Sequence, residues 1–379
     1  MSLVRNEEQR RLQETAEDFL RRNAPVSALR KLRDEGDSLG YSRKLWQEMA
    51  ELGWAGIIVP QQYGGLEFGF AGMGALLQAS GHTLTASPLL ATAVIGASTI
   101  LLGGDEAQKD TWLPGIASGQ TTLALALEET HHHDPLGVEL SAAAQGDSYV
   151  LQGRKLFVAD GHSAEQLIVA ARSSGAKHGE DGISLFLVAG DALGVLRKRT
   201  IMADSRNAAN IEFDRVRVPP DALLGAAGQG WPLLEAVLDR ARIALAAEML
   251  GNCWECFNRT VEYLKQREQF GVKIGSFQAL QHRAANLYTE LEMATSVVLQ
   301  ACASVDDDPQ QVALLASLAK AKLNELSKQV TNEAVQMHGG IGVTDELEIG
   351  FFLKRARVAM QLFGDSRYHR DRYAALSGY

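Results

Sequence analysis

The sequence predicts a mainly α-helical protein with a central β domain, on three observations in chain order. Apolar residues recur at helical spacing up to about residue 124. Short β-rich runs separated by Gly, Asp and Ser fill residues 125 to 222. Long amphipathic, Ala- and Leu-rich runs occupy the rest. A chain of 379 residues can bury several cores, and the blocks are read as domains at 1–124, 125–222 and 223–379.

In the first block Leu12, Ala16, Phe19 and Leu20 form one apolar stripe, and Leu45, Met49 and Leu52 form another. Asp105-Glu106-Ala107-Gln108 opens a further helix, its acidic residues placed where the helix dipole favours them. The richest apolar stretch, Ser87 to Leu102, is short and full of Ala, Gly, Ser and Thr. It reads as a buried helix, not a membrane span.

In the second block Tyr149-Val150-Leu151 and Leu156-Phe157-Val158 read as two strands joined by a turn at Gln152-Gly153-Arg154. Leu167–Val169, Ile183–Val188 and Ile211–Phe213 continue an all-β pattern without crossover helices. Pro219-Pro220 closes it, since consecutive prolines suit neither strand nor helix interiors.

In the third block three long helical runs are expected at 232–266, 277–304 and 310–338. They are broken at Gly271–Gly275 and at Asp306-Asp307-Asp308-Pro309. Helices of this kind pack as a bundle, and surplus apolar faces point to subunit contacts.

A net charge of -9 and the lack of a long Lys/Arg block argue against nucleic acid or an anionic membrane as partners. The charged N-terminus has no apolar signal-peptide core, and three cysteines cannot make a disulfide framework, so a cytoplasmic setting is expected. Cys253 and Cys256 form a C-x-x-C inside a helical pattern and read as core residues. Adjacent His131, His132 and His133 read as a solvated loop, and no metal site is predicted. No P-loop is present; Gly225-Ala-Ala-Gly228-Gln-Gly230 has the wrong spacing for a dinucleotide fingerprint, and nothing resembles a nucleophile elbow.

Two motifs carry more information. One is Arg267-Glu-Gln-Phe270-Gly271-Val-Lys-Ile274-Gly275-Ser-Phe277-Gln278-Ala279-Leu-Gln281-His282, the other Gln336-Met-His-Gly339-Gly340-Ile-Gly342-Val-Thr-Asp-Glu346. Weaker echoes are Gly104–Gln108 through Leu113-Pro114-Gly115, and Phe213-Asp-Arg-Val-Arg-Val-Pro219. In this order and spacing they resemble the acyl-CoA dehydrogenase family over essentially the whole chain. The resemblance implies a middle β-barrel or sandwich, a C-terminal four-helix bundle and an FAD cofactor. It also implies an acyl-CoA thioester as substrate and electron-transferring flavoprotein as electron acceptor. Arg267 offers a planar donor fork suited to the FAD diphosphate, and Gln336, Gly339 and Gly340 let backbone N–H groups approach an oxygen. Phe270, Phe277 and Gln278 belong to the same cofactor motif. In the family these motifs serve a neighbouring subunit's FAD, which implies a dimer, usually a tetramer.

The chain departs from the family pattern at several points. The β-domain FAD loop keeps Glu128 and Asp134, but Leu127 replaces a threonine and His133 a serine; Phe157-Val158-Ala159 replaces Trp-Ile-Thr beside the flavin. Glu128, Phe157 and Ala159 remain the cofactor-facing candidates. A dehydrogenase base must be a carboxylate facing the ring across the substrate, yet the family's two glutamate positions hold Phe363 and Ala241. Asp365 is the nearest replacement for the base, and equally reads as the cap of the following helix. Asp239 and Arg242 lie where the family contacts acyl-CoA. Small residues from Ala86 to Ala97 either leave room for a bulky acyl group or pack tightly.

The local text around 340 and 364 is similar to small subunits of heteromeric pimeloyl-type and steroid-side-chain acyl-CoA dehydrogenases. Three functions follow. One is a catalytic acyl-CoA dehydrogenase using Asp365. Another is a non-catalytic partner in a hetero-tetramer with a base-bearing sister subunit. The third is a different flavin reaction, such as an oxidase or monooxygenase.

Overall fold

The computed structural model describes residues 4–379. Six helices come first, α1 (Glu7–Asn23), α2 (Val26–Asp34), α3 (Arg43–Glu51), α4 (Phe70–Thr83), α5 (Ala97–Gly103) and α6 (Glu106–Ala117), with a π-helical stretch at Leu89–Gly96. Eight strands follow: β1 (Leu123–Ala126), β2 (Ser141–Gln145), β3 (Ser148–Ala159), β4 (Gln166–Arg172), β5 (Ile183–Ala189), β6 (Val195–Ile201), β7 (Asn207–Val218) and β8 (Leu223–Leu224). The 36-residue α7 (Trp231–Gln266) leads through the short hairpin β9 (Glu268–Gln269) and β10 (Val272–Lys273) into α8 (Gln278–Asp307). The chain ends with α9 (Val312–His338), α10 (Ile349–Ala359) and α11 (Ser366–Leu376). The architecture is the predicted one: helical ends around a central β domain. Among the described residues no helix is long and apolar enough to cross a membrane.

The chain divides into two compact units. One comprises Leu32–Gly69 and Ala86–Ala241 and holds the sheet, in the order β6-β7-β3-β2-β4-β5-β8, with β1 pairing parallel to β4. Its core is a cluster that includes Leu151, Phe186, Ile211, Phe213 and Val216, all essentially inaccessible to solvent. The expected turn at 152–154 is absent: residues 148–159 form one strand, bulged between Leu151 and Gly153 and again between Lys155 and Val158. Gly153 has φ +145°, and a Cβ there would meet the Leu140 backbone at 3.0 Å, so the glycine serves close approach and not chain reversal. The reversal lies seven residues earlier, at Gly146-Asp147 between β2 and β3.

The 87–102 stretch is buried and helical as expected, but its first part is wound as a π-helix. Buried Thr92 in it accepts the Leu123 N–H through its hydroxyl at 3.0 Å, pinning the stretch to β1. In α3, Leu45 and Met49 are buried, while Leu52 falls at the C-cap and is exposed. Asp105 and Gln108 close a reciprocal capping box at the start of α6.

The other unit comprises Met1–Lys31 (described from residue 4), Phe70–Thr85 and Arg242–Tyr379. Here α4 packs on α1 and α8, and α9 packs on α8, α10 and α11. Contact between α4 and α7 is close enough to require glycine: a Cβ on Gly81 would lie 2.0 Å from the Glu248 carbonyl, and one on Gly251 would lie 1.9 Å from that of Gln78. The acidic run at the end of α8 has a specific task. Asp306 accepts the Phe70 N–H at 2.9 and 2.8 Å and the Ala71 N–H at 3.1 Å, capping α4 from a distant part of the chain.

Candidate functional site

In the β-containing unit, β3, which carries the candidates Phe157 and Ala159, runs beside the loop after β1 that carries Glu128. The Leu156 N–H donates to the Glu128 carbonyl at 2.7 Å, and the Phe157 N–H donates to Asn210 Oδ1 at 3.0 Å. Phe157 sits at φ +50°, an unusual conformation for a bulky residue, which leaves its ring 38% exposed. The His131 ring lies 5.7 Å from it, centroid to centroid. Ala159, two residues on, ends the strand and is half-buried. Glu128 Oε1 bonds His133 Nδ1 at 2.5 Å, and its other oxygen accepts the Asp134 N–H at 3.3 Å. His133, which takes the place of a family serine, is thus paired with the surviving loop glutamate.

Below this loop lies Lys155, which the sequence reading passed over. Its buried ammonium donates to the Leu127 carbonyl at 2.9 Å and to Glu129 Oε1 at 2.7 Å. Burial pushes the Lys155 pKa down, against the upward pull of Glu129 and Glu128. Glu129 also accepts the N–H groups of Glu139 and Leu140 at 3.0 Å, so one buried ion pair holds both ends of the loop. Asp239 and Ala241, also in this unit, are buried residues of α7.

In the other unit, Arg267 leaves the end of α7 and is exposed. Its N–H and carbonyl are both bonded, to Tyr263 and Ile274, which fixes the hairpin that follows. Phe270 and Gly271 at its tip both have positive φ (+56° and +78°), the conformation of a tight two-residue hairpin turn. That turn pushes the Phe270 ring out to 92% exposure, edge-on to Phe277 at 6.2 Å. Gln278 opens α8 and is exposed.

The Gln336 motif ends α9. Gly339 (φ +64°) is the C-cap, and its N–H donates to the Gln336 carbonyl. Gln336, Gly339 and Gly340 are exposed, and a Cβ on either glycine would meet nothing within 4 Å. This open glycine backbone fits the phosphate-binding part of a dinucleotide. Both motifs meet through two residues that the sequence reading did not single out. Tyr263 stacks on His338 at 4.4 Å between centroids and donates its hydroxyl to the His338 carbonyl at 3.3 Å. Burial lowers the His338 pKa, partly offset by its bond to the Ala334 carbonyl.

The turn at Phe363-Gly364, where the family base is expected, is built into the same unit. Phe363 is at φ +58° and Gly364 at +112°. Arg242 Nε and His369 Nε2 bond the Phe363 carbonyl at 3.2 and 3.0 Å, and Arg242 also donates to the Tyr368 hydroxyl at 3.0 Å. Buried Lys320 donates to Asn324 Oδ1 at 2.7 Å and to the carbonyls of Ala359 and Gly364 at 2.9 and 3.1 Å. Burial and then Arg242 press its pKa well down, while Asp365 pulls it up. Three oxygen acceptors around one nitrogen match the three donors of an ammonium. Asp365 is exposed and caps α11, accepting the Tyr368 N–H at 2.8 Å. Phe363 itself supplies no carboxylate.

The cysteines are buried; burial pushes the Cys253 and Cys302 thiols up to about 12 and raises Cys256 further, so none is reactive.

Family models agree with this geometry. Those for the N-terminal, middle and C-terminal domains of acyl-CoA dehydrogenase match residues 6–120, 124–216 and 228–376. The chain is 30% identical over 369 residues to the probable acyl-CoA dehydrogenase YngJ of Bacillus subtilis, covering 94% of each. It is 28% identical over 370 residues to CarC, a subunit of the caffeyl-CoA reductase–Etf complex of Acetobacterium woodii, covering 93% of each. Among solved structures it resembles the Tcur3481–Tcur3483 steroid ACAD, with a TM-score of 0.88, 31% identity and 98% of each chain covered. The chain belongs to the acyl-CoA dehydrogenase family.

Proposed function

We propose that this chain holds FAD and takes part in α,β-dehydrogenation of an acyl-CoA thioester, with electrons passing to an electron-transferring flavoprotein. The observation that carries this reading is the Tyr263–His338 contact. It brings the Arg267 hairpin and the open Gln336–Gly340 turn together at one corner of a unit, where a guanidinium fork and an uncovered glycine backbone suit a diphosphate. FAD, when bound, supplies the hydride acceptor. Arg267, Phe270, Phe277, Gln278 and the 336–340 turn would hold it in a dimer or tetramer. Glu128, Phe157 and Ala159 would line its ring. Asp239 and Arg242 would lie along the substrate, and Asp365 would take the α-proton at a carboxylate oxygen. The Etf complex named for CarC supports the choice of electron acceptor.

A second reading is favoured by one observation. Phe363 and Ala241 stand at both family base positions, and the Asp365 carboxylate is engaged as a helix cap. On this reading the chain is the cofactor-completing, non-catalytic partner of a base-bearing sister in a hetero-tetramer. Its likeness to a steroid ACAD named for two components supports it. Anaerobic mixing of the flavin-loaded chain with a panel of acyl-CoAs separates the two. Bleaching of the flavin absorbance that is lost in Asp365→Asn establishes the dehydrogenase. A loaded chain that stays coloured until a sister subunit is added establishes the partner.

A further inference from the structure

β6 is an edge strand of the sheet, paired only to β7. Arg197 and Arg199 are two residues apart on it and therefore project from the same face, opposite Ile211 and Ala209. Arg197 is engaged through one guanidinium nitrogen. Its Nη1 donates to the carbonyls of Gly161, His162 and Ala164 at 3.4, 3.0 and 2.8 Å, drawing the 161–164 turn against the strand. The next arginine is not satisfied in this way. Arg199 Nε is buried and has no hydrogen-bond partner, and neither has the buried Nδ1 of His162, in the turn that Arg197 holds. Among the described residues, neither side chain has an ion-pair or hydrogen-bond partner of any kind.

Such a grouping is unfavourable as it stands. A desolvated guanidinium N–H without an acceptor and a desolvated ring nitrogen without a partner raise the free energy of the fold, and the neighbouring arginine charges add to it. Burial, followed by the charges of Arg199 and Arg197, holds the His162 pKa below its ordinary value. Asp160 lies two positions before His162 in the chain. A bound anion would reverse each of these penalties. It would accept from Arg199 Nε and from His162, and it would neutralise the arginine charge. The Arg267 and Gln336 motifs belong to the other unit.

We infer that Arg199 and His162 form a binding site for a small oxyanion, a phosphate or carboxylate group. The test is isothermal titration of the full purified chain with inorganic phosphate and, separately, with acetate, chloride holding ionic strength constant. The His162 imidazole is followed in parallel by NMR, its signal assigned with His162→Gln. The inference predicts saturable binding of one or both anions, a raised His162 pKa when the anion is bound, and affinity weakened roughly tenfold or more in Arg199→Met, as loss of a charge-assisted bond requires. Arg199→Lys should recover part of it. Saturation by phosphate alone identifies a phosphate site, and by acetate alone a carboxylate site. No saturation by either anion, or equal binding in Arg199→Met, overturns the inference. The His162 shift in the unmutated chain keeps the test decisive if Arg199→Met fails to fold.

Discussion

The Tyr263 ring lies on the His338 imidazole, and its hydroxyl donates to the His338 carbonyl. This contact joins the end of α7 to the end of α9, four residues before Arg267 and two after Gln336. Replacing Tyr263 by Ala removes an aromatic contact and a hydrogen bond, together about 2 kcal/mol. The expected result is a lower denaturation midpoint and poorer flavin retention. Tyr263→Phe should keep the stacking and lose only about 1 kcal/mol.

Lys320 pins the Phe363-Gly364 turn through the Gly364 carbonyl and the end of α10 through that of Ala359. Lys320→Met leaves buried carbonyls without donors and should cost about 3 kcal/mol. Hydrogen exchange should then accelerate in residues 360–369 more than in the middle of α9. Equal acceleration throughout the unit would show that the turn is held by something else.

Glu248 and Arg355 form a bidentate pair at 2.8 and 2.9 Å, with both side chains at most 5% exposed. Arg355→Met alone strands a buried carboxylate and should cost about 3–5 kcal/mol in urea unfolding. Adding Glu248→Leu should restore much of that loss, because an apolar pair no longer has to be desolvated as charge.

Glu255 is predicted to govern part of the acid sensitivity. Burial would raise its pKa, but His82, Arg259 and Arg21 outweigh that effect and hold the carboxyl at about 2, against an ordinary 4.5. Folded Glu255 therefore stays ionised when the unfolded chain has already taken up its proton. Its stabilisation is complete above the ordinary value and disappears as pH falls towards 2. Glu255→Gln should accordingly flatten the dependence of the unfolding midpoint on pH over that interval, while lowering stability near neutrality.

Long-period patterns were legible in the sequence: α7, α8 and α9 lie within a few residues of the runs read from their apolar spacing, since length and periodicity act locally. Arg267 and the 336–340 turn stood out because the motifs that hold them resemble those of the acyl-CoA dehydrogenase family. Three features were not legible. Gly153 looks like a turn residue but is a bulge, because the sheet neighbour Leu140 decides its role. Tyr263 lies outside both motifs, 75 positions from His338, so nothing in its own helical run marks the contact. Lys320 reads as a surface lysine until α10 and the 363–364 turn fold over it. Each depends on a partner distant in sequence, which periodicity cannot reveal.

The flavin-to-subunit ratio of the purified chain, compared with that of Arg267→Met, tests the central claim most directly. A stoichiometric, tightly held FAD in the unmutated chain, with affinity reduced roughly 10- to 100-fold by the substitution, is the predicted result. Undiminished flavin binding by Arg267→Met, or a well-folded oligomer that takes up no FAD, would contradict it.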